Sequence, residues 1–406
     1  MLDFHIEGIA GMNSSHHRTR VRLAALSIAL TLAIATAACS SDEDSATNTS
    51  SASPSTASSQ ESNEIADLVR RQVADLGLSA AVFGVWRGDD EIALGAVGES
   101  PIGVPATTDM QLRVGQPMEP MLSTVLLQLD EEGTLPLDQP IAKWEPNFPR
   151  AETITPRMLA NSTSGISDYV TDPQFLKLFT DNPMKGWTSQ EILNLANSRP
   201  PLFEPGTGWA YAHSDLTLLG DVMEKATGKP LGDLLQQRVF DPLGMDHSSV
   251  VLTSQMDEPI LHGYTNERGV FEDSTFWNPT AFLHSGNMNA PVADVGKWVR
   301  ALGTGELLSD KAFEQQMAPT TAGLGSMTAD KFFSFGTGHL DGWLVMNPSY
   351  GGYNGLALYY PDSKTTIVVY ATLGPTTNAD LNNAVPMGKA IGTLLEPDHP
   401  PQVPTP

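Results

Sequence analysis

Apolar positions along this chain repeat with two periods, and the places where one gives way to the other outline a fold. Ile65, Leu68, Val69, Val73 and Leu76 recur at helical spacing, with Asn63 able to cap the start and Gly77 the end of an amphipathic helix. Two β-rich runs follow at 80–86 and 91–97, separated by Gly88-Asp89-Asp90, a hairpin signal. Near the other end, 342–345, 355–360 and 366–371 read as further antiparallel strands, the last two joined by a turn over 361–364. A closing helix is expected around 378–395, followed by a loose Pro-rich tail over 396–406.

Between these sets of strands the period is that of helices. Leu122, Val125, Leu126 and Leu129 share one face of a helix that begins near Pro117, a residue suited to the first helical position, and stops at Gly133. Thr188-Ser189-Gln190-Glu191 is a capping box. Ser214 is placed to cap a helix carrying Leu218, Leu219, Val222 and Met223 and ending at Gly228, before Pro230. The expected architecture is therefore α/β. Its antiparallel sheet draws strands from about 64–106 and 332–395, helices flank it, and a mostly helical insert spans about 107–331.

The first 63 residues change the setting. Arg18, Arg20 and Arg22 precede an apolar run over 23–35 and then Thr36-Ala37-Ala38-Cys39, which reads as a secretory signal over 1–38 ending at the chain's one cysteine. That run is shorter than the ~20 residues of a spanning helix. Thr36 to Cys39 resembles the cleavage and acylation site of a bacterial lipoprotein, so Cys39 is the expected lipid attachment site and the protein an extracytoplasmic one held at the cell membrane. Asp3 and Glu7 lie ahead of the basic segment, which makes Met12 a candidate start. A Ser/Thr-rich stretch over 39–63 lacks the apolar side chains needed to offset ordering and is expected to be a flexible tether. The net charge of −24 argues against nucleic acid and against electrostatic adsorption to anionic lipid, leaving the acyl group as the membrane contact.

In this order and spacing, several short stretches resemble the serine β-lactamase and penicillin-binding-protein-like family, in its class C β-lactamase-related branch of DD-peptidases and esterases. They are 112–115 leading into the helix that ends at Gly133, then 137–140, Asn161-Ser162-Thr163-Ser164-Gly165-Ile166-Ser167-Asp168-Tyr169, 203–211 with 218–220, and 239–245. The resemblance runs from about Ile65 to Leu395 and implies a β-lactamase/transpeptidase-like fold whose chemistry uses three clusters facing one cleft. An S-x-x-K pair would place a nucleophilic hydroxyl and an amine base one helical turn apart; this chain has Gln116 and Glu119 there, and no S-x-x-K occurs anywhere in it. A Y-x-N cluster becomes Tyr211-Ala212-His213. The K-T-G or H-x-G triplet, expected on an edge strand to bind a substrate carboxylate, falls on Met346-Asn347-Pro348, with its cation gone and an N–H lost at proline.

These substitutions imply a pseudoenzyme, since loss of a serine nucleophile alone costs on the order of 10⁶ in turnover. They also suggest a carboxylate–imidazole pair between Glu119 and His213 in place of the family's lysine–asparagine contact. The expected role is binding, of a peptidoglycan peptide or an envelope protein, with no cofactor and no metal, because no cluster has convincing metal-ligand spacing in the sequence. The alternative is a hydrolase of altered chemistry, an esterase or peptidase using Tyr211, Glu119 and His213. His284-Ser285-Gly286 has the letters of H-x-G but precedes a helix around 295–302 rather than a strand. Ser162 and Ser164 read as turn residues, and Trp277 as a core or groove-lining aromatic.

Overall fold

The computed structural model describes residues 56–404, with side chains from Ser59 onward. The proposed signal, Cys39 and the first part of the tether lie outside the described residues.

An eight-stranded antiparallel sheet forms the centre. Its main path runs Asp90–Gly98, Ala80–Arg87, Thr365–Thr372, Tyr353–Tyr360, Trp343–Met346, Thr337–Leu340 and Lys331–Ser334, and Ser349–Tyr350 pairs beside Tyr353–Tyr360. The two central strands are buried at every position because helices cover both faces. Alternate side chains go to opposite sides, as the pleat requires. Ala81, Phe83 and Val85 join Ile65, Val69 and Ile391 under the helices Thr56–Leu76 and Ala384–Leu395. Val82 and Trp86 join Val295 and Trp298 under the helix Val292–Thr304. The Trp86 ring lies flat on that helix because position 296 is glycine: a Cβ there would fall 2.5 Å from the ring.

Between the strand sets lie the helices Met118–Glu131, Ser189–Asn197 and His213–Thr227. The Thr188 capping box is formed, and Gly228 closes the last of these in a left-handed conformation. The insert is less helical than expected, since it holds a three-stranded sheet of Leu112–Arg113, Met288–Ala290 and Ser249–Val250. Arg113, 2% exposed, fixes this sheet by donating to Asn289 Oδ1 (3.0 Å) and to the carbonyls of Ser254 (2.9 Å) and Thr275 (3.2 Å).

Four local expectations are corrected. The first helix starts at Thr56, so residues 56–63 belong to it rather than to the tether. Ser214 does not cap its helix; it lies in the first turn, where it donates to the Ser167 carbonyl (2.7 Å) and accepts from the Tyr169 N–H (3.1 Å). The last helix starts at Ala384, because Asn382 and Asn383 are engaged with the sheet, the Asn383 amide and side chain both reaching Asn354 Oδ1 at 2.9 Å. The tail is packed: Trp343 Nε1 donates to the His399 carbonyl (2.9 Å) and Val403 is 2% exposed. Among the described residues, no helix is long and apolar enough to cross a membrane.

Candidate active site

A cleft opens where the Met118–Glu131 helix, the start of His213–Thr227 and the end of Trp343–Met346 converge, lined by Gln116, Glu119, His213, Phe282, Ser285 and Tyr350. Backbone demands explain its floor. Gly115 has φ 68°, and a Cβ on it would sit 2.7 Å from Pro348 Cβ, so only glycine lets the helix entry approach that segment. Tyr370 of the central sheet donates to the Val114 carbonyl (2.7 Å) and pins the same turn from below.

Gln116 and Glu119, expected at the nucleophile and base positions, are each engaged by the surrounding protein, although Glu119 Oε2 is buried without a hydrogen-bond partner. The Gln116 carboxamide oxygen accepts the Asn347 N–H at 2.8 Å, bridging 231 residues of sequence across the cleft. Glu119, 1% exposed, accepts a hydrogen bond from the Tyr211 hydroxyl. The hairpin at Gly336 seals it from behind, where a Cβ would meet Pro120 N at 2.6 Å. Burial pushes the Glu119 carboxyl well above the usual range, and the nearby Asp168 charge adds to this while the Tyr211 hydroxyl opposes it. Glu119 is thus driven toward its neutral form and does not act as the simple inverted charge its letter suggests. Burial likewise drives the Tyr211 phenol well above its ordinary value, and Glu119 adds to this whenever it is ionised, the opposite of what a base or nucleophile needs.

The expected Glu119–His213 pair is replaced by another. His213, 3% exposed, points Nδ1 at Asp168 Oδ2 (3.1 Å), while its backbone N–H reaches Asp168 Oδ1 (3.2 Å). Asp168 also accepts the Val170 N–H (3.3 Å). Its carboxylate caps the His213–Thr227 helix from a separate loop, a placement favoured by the positive end of the helix dipole. Because ring and backbone of His213 both face that loop, the imidazole is claimed by Asp168. No role for Asp168 follows from the sequence reading, although an aspartate just before the turn at Tyr169–Thr171 carries a capping signal. Next to it, buried Ser164 donates to Asp215, whose carboxyl burial also pushes well up.

The triplet at 346–348 does not lie on an edge strand. Met346 ends an interior strand, pairing with Ala357 just past the point where the ladder to Thr337–Leu340 stops at Val345, and its side chain is fully buried in the core. The Asn347 and Pro348 carbonyls accept from Asn382 Nδ2 (3.1 and 3.0 Å), and Pro348 O also accepts the Gly355 N–H (2.8 Å). With Asn347 N–H taken by Gln116, the groups that would pair with an extended ligand here are already bonded. Of the remaining candidates, Ser285 lines the cleft, His284 lies buried behind it, and Trp277 is a core residue at 2% exposure.

A family model described as Beta-lactamase matches residues 65–386. Penicillin-binding protein 4* of Bacillus subtilis (strain 168) is 25% identical over 289 residues, which is 65% of this chain and 61% of that protein. The chain spans about three-fifths of the length of the curated relatives it matches first. A D-stereospecific amidohydrolase from Streptomyces sp. shares 27% identity and a TM-score of 0.67, covering 80% of this chain and 96% of that one. D-amino acid amidase from Ochrobactrum anthropi SV3, at 22% identity, superimposes with a TM-score of 0.71 over 83% of this chain and 98% of its own, a likeness of fold.

Proposed function

We propose that this chain, which belongs to the Beta-lactamase family, is a member that has exchanged acyl-transfer chemistry for binding. Its family is one of hydrolases acting through a helix-borne nucleophile and base. The observation that carries the proposal is the Gln116 to Asn347 hydrogen bond: the side chain at the nucleophile position neither attacks nor leaves room for attack, and it closes the strand segment on which a substrate would lie. Glu119 supports the same reading, since a buried carboxyl already holding the Tyr211 hydroxyl is a poor substitute for an amine base. The ligand class is a cell-wall peptide or an envelope protein, bound by a protein that Cys39 holds at the outer face of the cell membrane through an acyl anchor. Replacing Cys39 with serine should move the protein from the membrane fraction to the soluble one; unchanged membrane retention would contradict the anchor.

The test of the catalytic half is incubation with a labelled penicillin, a chromogenic ester and a D-amino acid amide. The proposal requires no covalent label and no turnover. Turnover that Tyr211→Phe abolishes would instead establish the second reading, a hydrolase built on Tyr211, Glu119 and His213. The raised pKa of Tyr211 weighs against it.

A further inference from the structure

Behind the cleft, three potential metal ligands that lie far apart in sequence converge. Asp221 and Glu224, three apart on the His213–Thr227 helix and so on one face of it, meet His284 from the loop after Leu283, and one ligand atom from each lies within 4.8 Å of the others. His284 Nε2 stands 3.4 Å from Asp221 Oδ1. That is beyond the roughly 2.7–3.2 Å of a good N–H···O hydrogen bond. It matches the ~3.4 Å expected between two ligands at a tetrahedral angle, each about 2.1 Å from Zn²⁺.

Two further features mark His284. It is only 6% exposed, and its Nδ1 has no hydrogen-bond partner, so this buried imidazole turns its Nε2 edge to Asp221 with nothing holding the opposite ring nitrogen. The chain also holds it in an uncommon conformation, φ 65°, and position 220 is glycine so that the ring can lie against the helix: a Cβ there would meet His284 Cγ at 2.5 Å. Glu224 is partly committed, accepting the Leu231 N–H at 2.7 Å.

We propose that Asp221, Glu224 and His284 form a Zn²⁺ site, with water completing the coordination. One imidazole nitrogen and two carboxylates suit a borderline divalent ion. The ion would clamp the loop carrying Ser285 and Gly286, both of which line the cleft, onto the helix that carries His213. The site is therefore structural and lies outside the cleft itself.

The test uses the full chain, stripped with chelator and titrated with ZnCl₂ by calorimetry, with Co²⁺ absorption as a direct probe of coordination. The expected result is one equivalent bound, a visible Co²⁺ band of low coordination number, and a melting temperature that rises with free Zn²⁺. Asp221→Asn and His284→Asn should each weaken binding by more than the ~10–100-fold that outer-shell changes cost. Asp221 is half-buried on the helix surface, so its variant gives a reading even if His284→Asn fails to fold. No saturable binding, or binding that Asp221→Asn leaves intact, as capture by His16-His17 would, overturns the proposal.

Discussion

Replacing Glu119 with glutamine keeps the shape of the side chain and the acceptor for the Tyr211 hydroxyl while removing its titration. Burial raises the folded-state pKa of Glu119, whereas in the unfolded chain a glutamate titrates near ~4.3. Between those two values the folded protein holds a proton that the unfolded chain has released. Unfolding free energy therefore falls as pH rises through that window, by up to about 1.4 kcal/mol per pH unit, and the loss is complete above the folded pKa. Glu119→Gln escapes this loss. Its stability should match the parent protein near about pH 4, where both side chains are neutral. It should then exceed the parent increasingly with pH until the folded-state carboxyl has ionised. Asp215, similarly raised, titrates in both proteins and cancels from the difference. Urea unfolding followed by tryptophan fluorescence at stepped pH reads this directly, with midpoints compared at equal slope. Parallel stability curves, or a variant less stable than the parent at high pH, would refute the assignment of Glu119 as a buried carboxyl driven toward neutrality.

Gly115→Ala should destabilise the fold by about 1–3 kcal/mol, since it adds a Cβ at a left-handed position against Pro348; thermal melting checks this. Asp168→Asn leaves a single acceptor for the His213 and Val170 donors and should cost about 2–3 kcal/mol, read by the same melt. The double variant Gln116→Ser with Glu119→Lys should remain inactive on nitrocefin, because Met346 and Pro348 still supply neither the cation nor the free strand N–H that a substrate carboxylate and backbone need. Efficient hydrolysis by it would show that the two helix positions alone had been lost.

The central strands were readable because they are buried on both faces and so appear as nearly unbroken apolar runs such as Thr366 to Ala371, whereas the short strands Lys331–Ser334, Thr337–Leu340 and Ser349–Tyr350 were not. Local signals that are satisfied locally, among them the Thr188 capping box and the Gly228 stop, were readable for the same reason. The cleft was readable as a set of positions, since the structure brings Gln116, Glu119 and His213 together as the family resemblance implied. Its pairings were not. Asp168 takes the imidazole because the loop at 161–169 crosses the start of the His213 helix, which spacing along the chain does not reveal. Gln116 and Asn347, or His284 and Asp221, meet only through the packing of distant elements. The tail misled for a compositional reason: its prolines suggest a loose end, yet Pro401 packs on Gly392, where any side chain would collide with it.

The central claim is that Gln116 and Glu119 have closed the acyl-transfer site. Intact-mass measurement of the full chain after prolonged exposure to a labelled penicillin, with hydrolysis of a D-amino acid amide followed in parallel, tests it most directly. The account predicts an unshifted mass and no release of ammonia above the buffer rate. A stoichiometric adduct, or turnover lost on Tyr211→Phe, would contradict it.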